Sequence, residues 1–248
     1  ADAVVREIHA AGGEAVADYG PAEDPATGET LLALALEAFG RLDAVIANAG
    51  VSEAATFRKQ DVSSITYNIS INLLGTAYLL LPTFRHLYAQ GAGRLLLSTS
   101  AAGLYGEHGL PAYSAAKTGV IGLMRSLALE GRSHGVRVNA IAPFARTQMT
   151  ADTLEAAAIP GLAPDEVAPV AAQLLAPECA LNGEVIIAAA TRVARAAVLC
   201  SESRPVDGLS GAGLGAALVA LSGAPGGTEH TGAVAMFRAF MGDDTHTA

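Results

Sequence analysis

The chain has 248 residues, enough for one large α/β domain and too few for two of ordinary size. Hydrophobic residues make up 51% of it and tryptophan is absent, so the core must consist mainly of alanine, valine, leucine and isoleucine, which suits parallel strands covered by helices. The formal net charge of −9, with no concentrated basic segment, argues against nucleic acid as a partner.

Cysteine usage and hydropathy indicate in which cellular compartment the protein is expected. Cys179 and Cys200 are isolated in the sequence, which is typical of small buried side chains in a reduced compartment. Neither the cysteines nor the histidines have the spacing of metal ligands. No apolar run approaches the length of a membrane span, and no signal-peptide pattern begins the chain. We therefore expect a cytoplasmic protein with no membrane partner and no metal site.

Helical and strand patterns alternate along the first part of the chain. Apolar spacing predicts helices over 1–12, 30–39 and 62–90, and strands over 14–19 and 43–48. Pro82 should kink the long helix, because its ring cannot donate the helical hydrogen bond.

The alternation continues after the long helix. A leucine-rich strand from Gly93 is followed by a helix from Tyr113 to about Gly131, a strand over 136–143, a helix over 164–175 and a last strand over 183–198. Residues 144–163 lack clear periodicity, and we interpret them as a mobile lid over the substrate. The whole pattern predicts an α/β fold with a doubly wound parallel sheet.

The amino-acid composition of the chain changes at about Ser201. Serine, glycine, alanine and proline dominate from there, with one short helical pattern near 233–241. We therefore expect a single domain over 1–200 and a Gly/Ala-rich extension or interface arm over 201–248.

Three residues could form a proton-transfer site. Tyr113 and Lys117 are four residues apart, so they share one face of their helix. Ser100 follows the leucine-rich strand at its carboxyl end, where open α/β sheets bind ligands. The ammonium of Lys117 would favour the ionised form of the phenol, and the hydroxyl of Ser100 could hydrogen-bond a substrate oxygen.

The order of Asn48-Ala49-Gly50, Asn72, Ser100, Tyr113 and Lys117 resembles the signature of the short-chain dehydrogenase/reductase family. The resemblance implies a Rossmann-like sheet, NAD or NADP as cofactor, and hydride transfer between the nicotinamide and a hydroxy or keto substrate. It also implies that Tyr113 is the general acid/base, Lys117 its electrostatic activator, Ser100 the oxygen-polarising donor and Asn72 the anchor of a proton-relaying water.

Further residues would line the nicotinamide side of the site by the same resemblance, namely Asn48, Ala49, Gly50, Pro143 and Thr147. The segment that begins at Pro143 is shorter than is usual in the family and lacks its glycine. In this it resembles the branch that oxidises 3-hydroxyacyl-CoA thioesters, which includes the dehydrogenase unit of peroxisomal multifunctional enzymes.

One part of the family pattern has no counterpart here. The strand, glycine-rich turn and helix that cradle the cofactor pyrophosphate are missing upstream, so we expect a sheet truncated at its N-terminus, with the first βαβ portion absent. The strand over 43–48 would then be an exposed edge that is apolar on both faces. Either the 14–19 strand closes against it, or another polypeptide docks there, or the sequence is a fragment of a longer chain.

Three functions remain open on the sequence. The first is hydride transfer with NAD or NADP on a hydroxy or keto small molecule, such as a 3-hydroxyacyl thioester or a polyketide-like compound. The second is a truncated subunit that binds no cofactor itself and pairs with an intact homologue. The third is non-redox proton chemistry, such as dehydration, cyclisation or epimerisation. The helices over 62–90 and 113–131 resemble the family's usual oligomer surfaces, so we expect a homo- or hetero-oligomer.

Overall fold

A five-stranded sheet with the order β1-β2-β3-β4-β5 organises the larger part of the chain. The computed structural model describes residues 1–147, 162–203, 212–222 and 226–241. The strands are β1 Ala44–Ala47, β2 Gly93–Ser98, β3 Val136–Phe144, β4 Val185–Ala189 and β5 Arg192–Ala196. The first four are parallel and β5 pairs antiparallel with β4. The predicted Rossmann-like α/β fold is therefore confirmed.

Helices connect and cover the strands. They are α1 Asp2–Ala10, α2 Thr27–Phe39, α3 Val62–Ile69, α4 Thr76–Gln90, α5 Ala101–Tyr105, α6 Pro111–Gly131 and α7 Ala168–Leu175. None of the described helices is both long and apolar enough to cross a membrane.

The two faces of the sheet follow the alternation of side chains along β2. Leu95 and Leu97 point into the main core, where they join residues of α4 and α6 such as Leu80 and Met124. Leu96 points to the opposite face, into a smaller cluster that includes Leu174 of α7. All three leucines of β2 are almost completely buried, as expected of a central parallel strand.

The predicted strand over 14–19 is wrong. Residues 14–20 have no strand assignment, and Val16 and Tyr19 are 46% and 70% exposed. A strand exists only where a neighbour pairs with its backbone, and within the described residues no strand lies on the outer side of β1. The 14–19 segment therefore does not close against the β1 edge.

The long helix over 62–90 is interrupted at a different place from the one predicted. A π-helical turn over Ser70–Gly75 separates α3 from α4, whereas α4 continues through Pro82. The π turn inserts an extra residue per turn at Asn72, and such turns often occur at functional sites.

The single last strand predicted over 183–198 is in fact a hairpin. The chain reverses at Ala190-Thr191, and Arg192 returns opposite Ala189. Ala190 has a φ of 50°, which alanine rarely adopts, so no glycine or asparagine marked the turn in the sequence.

The chain divides into two compact units, Ala1–Ala196 and Ala197–Ala248. The second contains helix α8, Ala212–Ser222, which the sequence did not predict, and helix α9, Ala233–Phe240, close to its predicted place. An antiparallel bridge joins Cys200 to Thr228 within this unit. Most of the predicted lid, residues 148–161, lies outside the described residues.

We predict that replacing Ile46 of β1 with lysine slows aggregation without loss of stability. Ile46 is 48% exposed on the open edge, so a charge there should block edge-to-edge pairing, while the free energy of unfolding changes by only about 0.5 kcal/mol. Light scattering at 37 °C and the melting temperature test this. Val4→Lys on α1, where the side chain is 56% exposed and lies outside the sheet, is the matched control and should leave aggregation unchanged. A large fall in melting temperature for Ile46→Lys would contradict the open edge.

Candidate active site

The carboxyl end of β2 delivers three hydroxyl residues to the start of α6. Ser98 pairs with Ile141 of β3 in the parallel ladder, so the following residues Thr99 and Ser100 lie at the edge where parallel strands end. Ser100 caps α5, because its hydroxyl accepts a hydrogen bond from the Ala102 N–H at 3.2 Å.

Lys117 is buried against this strand end. Its side chain is 4% exposed, and its Nζ donates a hydrogen bond to the Ser98 carbonyl at 2.9 Å. The Nζ lies 5.7 Å from the centroid of the Tyr113 ring, as the spacing on one helix face predicted. Burial lowers the pKa of Lys117 to about 8, because the charged form loses its hydration.

Tyr113 is held as a neutral phenol. Burial raises its pKa above the ordinary value, and the hydrogen bond with Ser100 lowers it in part. The structure therefore brings Ser100 and Tyr113 together, but burial outweighs the expected stabilisation of the ionised phenol. A neutral phenol of this kind is suited to donating a proton.

Asn72 ties the π turn to the end of β1. It is fully buried, and its Nδ2 donates to the Val51 carbonyl and to the Asn68 carbonyl, each at 2.9 Å. Its Oδ1 accepts from the Val51 N–H at 3.2 Å. A side chain at Gly50 would place its Cβ 2.8 Å from Asn72 Oδ1 and 3.4 Å from Lys117 Nζ, so glycine leaves room for both groups.

The residues predicted for the nicotinamide side lie at the same end of the sheet, but they are less tightly linked to Ser100, Tyr113 and Lys117. Asn48 follows β1, and its Oδ1 accepts a hydrogen bond from the Ser98 hydroxyl at 2.5 Å. Ala49 is exposed beside it. Pro143 lies on β3 opposite Ala188 of β4. Thr147 is exposed and lies beyond the end of β3.

Sequence reasoning missed the role of two residues, Ser98 and Thr99. Ser98 contacts both Asn48 and Lys117, and the Thr99 hydroxyl donates to the Lys117 carbonyl at 2.8 Å. The signal was the run of hydroxyl residues itself, which is unusual directly after a buried strand. The sequence could not show which hydroxyl faces α6.

Part of the site fits a nicotinamide nucleotide. The Lys117 ammonium carries three hydrogens, and one acceptor, the Ser98 carbonyl, is present for them among the described residues. Two hydrogens thus remain for hydroxyl oxygens of a bound molecule. In the described segments 1–147 and 162–203, by contrast, no glycine-rich turn joins a strand to a following helix, so a pyrophosphate cradle of the usual kind is not seen there.

A cavity of about 250 Å³ runs beside the open edge of β1. Its walls come from the end of β1 and the turn after it, from the extended segment around Gly20, and from the starts of α2 and α4. Within the described part of the chain, no group of three or more His, Cys, Asp or Glu side chains could hold a metal ion.

The fold and this cluster of phenol, amine and hydroxyl define an α/β protein with a proton-transfer site at the carboxyl edge of its sheet. The family model for short chain dehydrogenases matches residues 1–158. The chain therefore belongs to the short-chain dehydrogenase/reductase family, whose members generally use NAD or NADP.

Individual relatives agree with this assignment. A short-chain type dehydrogenase/reductase of Mycobacterium tuberculosis is 36% identical over 84% of this chain and 72% of its own length. The peroxisomal multifunctional enzyme type 2 of Mus musculus is 39% identical over 74% of this chain but only 24% of its own length. The crystal structure of a short chain dehydrogenase from Mycobacterium avium superposes with a TM-score of 0.80 at 32% identity, covering 90% of this chain and 78% of that one.

Two shorter alignments concern reductases of Synechocystis. A 3-oxoacyl-[acyl-carrier-protein] reductase is 38% identical over 60% of this chain and 61% of its own length. An acetoacetyl-CoA reductase is 40% identical over 49% of this chain and 52% of its own length.

We predict that Lys117→Met removes a pH dependence of stability. The folded-state pKa of about 8 lies below the ordinary value of 10.5, so the unfolded chain binds more protons between these values. Wild-type stability relative to Lys117→Met should therefore rise as the pH increases from 8 to 10.5, by at most about 1.4 kcal/mol per pH unit.

Urea unfolding of both proteins at several pH values measures this difference. Lys59→Met is the control, because Lys59 is exposed and is the other lysine of the chain. A constant difference between wild type and Lys117→Met across this range would contradict the burial of the ammonium.

Proposed function

We propose that this protein catalyses hydride transfer between NAD or NADP and a hydroxy or keto substrate, with Ser100, Tyr113 and Lys117 as its catalytic residues. The observation that carries the proposal is the buried Lys117 ammonium beside the Tyr113 phenol at the tip of β2. Burying an amine and a phenol costs stability, and such groups with shifted pKa values are typical of sites that move protons.

The proton chemistry follows from the two pKa shifts. Tyr113 is protonated at neutral pH, as an ordinary tyrosine is, and burial raises its pKa further, so it can give its proton to a substrate carbonyl oxygen. Below pH 8 the Lys117 ammonium stabilises the phenolate that remains. Ser100, already near Tyr113, would hydrogen-bond the same oxygen and hold it in place. The arrangement favours reduction of a ketone at neutral pH, and oxidation at higher pH.

NAD or NADP, when bound, supplies or accepts the hydride. Lys117 would hold ribose hydroxyls with the two hydrogens that Ser98 does not engage, and the turn Asn48-Ala49-Gly50, with Pro143 and Thr147, would line the nicotinamide side. Asn72 would order a water that passes protons to Lys117. The firm bonding of its amide to Val51 and Asn68 makes it a rigid anchor for this purpose.

The substrate class comes from the named relatives. We propose a 3-oxoacyl or 3-hydroxyacyl thioester, because both Synechocystis reductases are named for such compounds and the alignment to the mouse enzyme is consistent with this branch. Acetoacetyl-CoA is therefore the first substrate to test.

A second candidate function is that of a subunit that pairs with another short-chain dehydrogenase. Leu74, Leu81 and Tyr88 follow one another at intervals of seven residues, about two helical turns, along α4 and the turn before it. They are 38%, 53% and 36% exposed. An exposed apolar row of this kind indicates a helix surface that packs against another chain.

We predict that Leu81→Glu reduces association. A charge in the middle of the row would have to be buried without a partner, which should raise the dissociation constant of the oligomer by at least about tenfold. Sedimentation velocity over a range of concentrations tests this, with Leu129→Glu on the exposed part of α6 examining the second predicted surface. Unchanged association in both variants would contradict the expected oligomer surfaces.

The central test is titration of the purified chain with NADH and with NADPH, observed by nicotinamide fluorescence, followed by turnover of acetoacetyl-CoA. We predict saturable binding, and a fall in kcat of about 10²- to 10⁴-fold in Tyr113→Phe with binding retained. Tyr105→Phe is the matched control, because Tyr105 is 75% exposed and should leave kcat unchanged.

Other outcomes would distinguish the alternatives. Binding that appears only after an intact homologous dehydrogenase is added supports the subunit function. Turnover of a substrate without NADH or NADPH, lost in Tyr113→Phe, supports non-redox proton chemistry. An equal loss of activity in Tyr105→Phe and Tyr113→Phe would overturn the assignment of the catalytic acid.

A further inference from the structure

Three consecutive residues at the tip of β2 each contact the catalytic pair on α6. The Ser98 carbonyl accepts a hydrogen bond from Lys117 Nζ at 2.9 Å. The Thr99 hydroxyl donates to the main-chain carbonyl of the same lysine at 2.8 Å. The Ser100 hydroxyl interacts with the Tyr113 hydroxyl. Lys117 is thus held at both ends, its ammonium by one residue and its backbone by the next.

Thr99 is itself firmly placed. It is 3% exposed, and its N–H donates to the Ile141 carbonyl of β3 at 2.8 Å, which continues the sheet one residue beyond β2. The Thr99 hydroxyl therefore links α6 to the sheet rather than to a loop. Because Lys117 lies inside a helix, its carbonyl also serves as an acceptor in the helical ladder, and loss of the Thr99 hydroxyl would leave no orphaned carbonyl.

The backbone of Lys117 is also confined by α5. A Cβ added to Gly103 of α5 would lie 2.8 Å from the Lys117 carbonyl carbon and from its Cβ, so α5 packs directly on the lysine backbone. The Thr118 hydroxyl closes this contact by donating to the Gly103 carbonyl at 2.7 Å. The lysine backbone is therefore held by two contacts, the hydrogen bond from Thr99 and the packing of Gly103.

We propose that Thr99 is a positioning residue that fixes Lys117, and with it Tyr113 one helical turn earlier, relative to Ser100. The inference rests on the proposed function only in assigning chemistry to these groups. The geometry itself concerns the chain alone, so it can be tested without cofactor or substrate.

The position of the Lys117 ammonium depends on where the backbone of this residue lies. The Ser98 carbonyl is a neutral acceptor, and it holds the ammonium in a buried position only while the backbone of Lys117 stays against β2. Without the Thr99 hydroxyl, the Lys117 backbone keeps its packing on Gly103 but loses its direct bond to the end of β2, so the ammonium reaches water more often. Tyr113 is the titratable group that faces it from α6, and the Asn72 amide lies nearby from the π turn, so exposure to water should dominate any change in its titration.

The test uses the fact that the chain has two lysines, Lys59 and Lys117. In the full chain labelled with ¹³C at the lysine Cε, two signals are expected, and the exposed Lys59 supplies the reference. A pH titration by NMR then reports the midpoint of Lys117 directly. We expect Thr99→Val to raise that midpoint from about 8 toward its ordinary value, by about half a pH unit or more.

The matched control is Thr83→Val. Thr83 is 2% exposed, and its hydroxyl donates to the Leu79 carbonyl of its own helix at 2.7 Å, so the substitution removes the same kind of bond away from the site. Thr83→Val should leave the Lys117 midpoint unchanged. Thr99→Ser, which keeps the hydroxyl, should restore the wild-type midpoint.

If Thr99→Val does not fold, the comparison of Thr99→Ser with Thr99→Ala replaces it, because these two variants differ only in the hydroxyl. An equal Lys117 midpoint in Thr99→Val and wild type, or in the Ser and Ala variants, would overturn the proposal. An equal shift in Thr83→Val would also overturn it, because the effect would then reflect general loosening of the fold. Failure to bind NADH would leave these outcomes unaffected.

Discussion

The contact between the tip of β2 and α6 is the constraint on which the site depends. β2 is central and buried, so its end has a fixed place in the sheet. Lys117 lies on a helix that packs against β2 and β3 through Val120 and Met124. The hydrogen bond from Lys117 Nζ to Ser98 joins these two rigid parts, and it brings the phenol of Tyr113 to the sheet edge where ligands bind.

The same contact places two ionisable groups where their charged forms are unfavourable. Burial lowers the pKa of Lys117 and raises that of Tyr113, so it shifts the titration of each group toward its neutral form. A structure selected for stability alone would fill these positions with apolar side chains. The retention of both groups, with bonds that hold them in place, fits a site whose chemistry requires a proton to move over a short distance.

The open edge of β1 is the second feature that shapes the molecule. Ile46 is half exposed there, and the cavity beside it reaches the turn of Asn48 and Ala49. The cluster at the tip of β2 is joined to that side of the sheet by two asparagines: Asn48 accepts a hydrogen bond from Ser98, and Asn72 of the π turn bonds Val51. The proton-transfer cluster and the cavity at the open edge are therefore neighbours that share the turn after β1.

Much of the fold and the central cluster could be predicted from the sequence, because they follow from local patterns. The leucine run specified β2, and the spacing of Tyr113 and Lys117 placed both on one helix face. The segment over 14–19 was misjudged because a strand requires a partner that no local pattern reveals. The hairpin at Ala190 was missed because a tertiary pairing, and no turn residue, imposes its backbone conformation. Residue types and periodicity thus determined which groups could react. Only packing in three dimensions decided that the Thr99 hydroxyl bonds the Lys117 backbone and that burial shifts the pKa values of Lys117 and Tyr113. Contacts between distant segments and the exclusion of water arise only when the chain is folded.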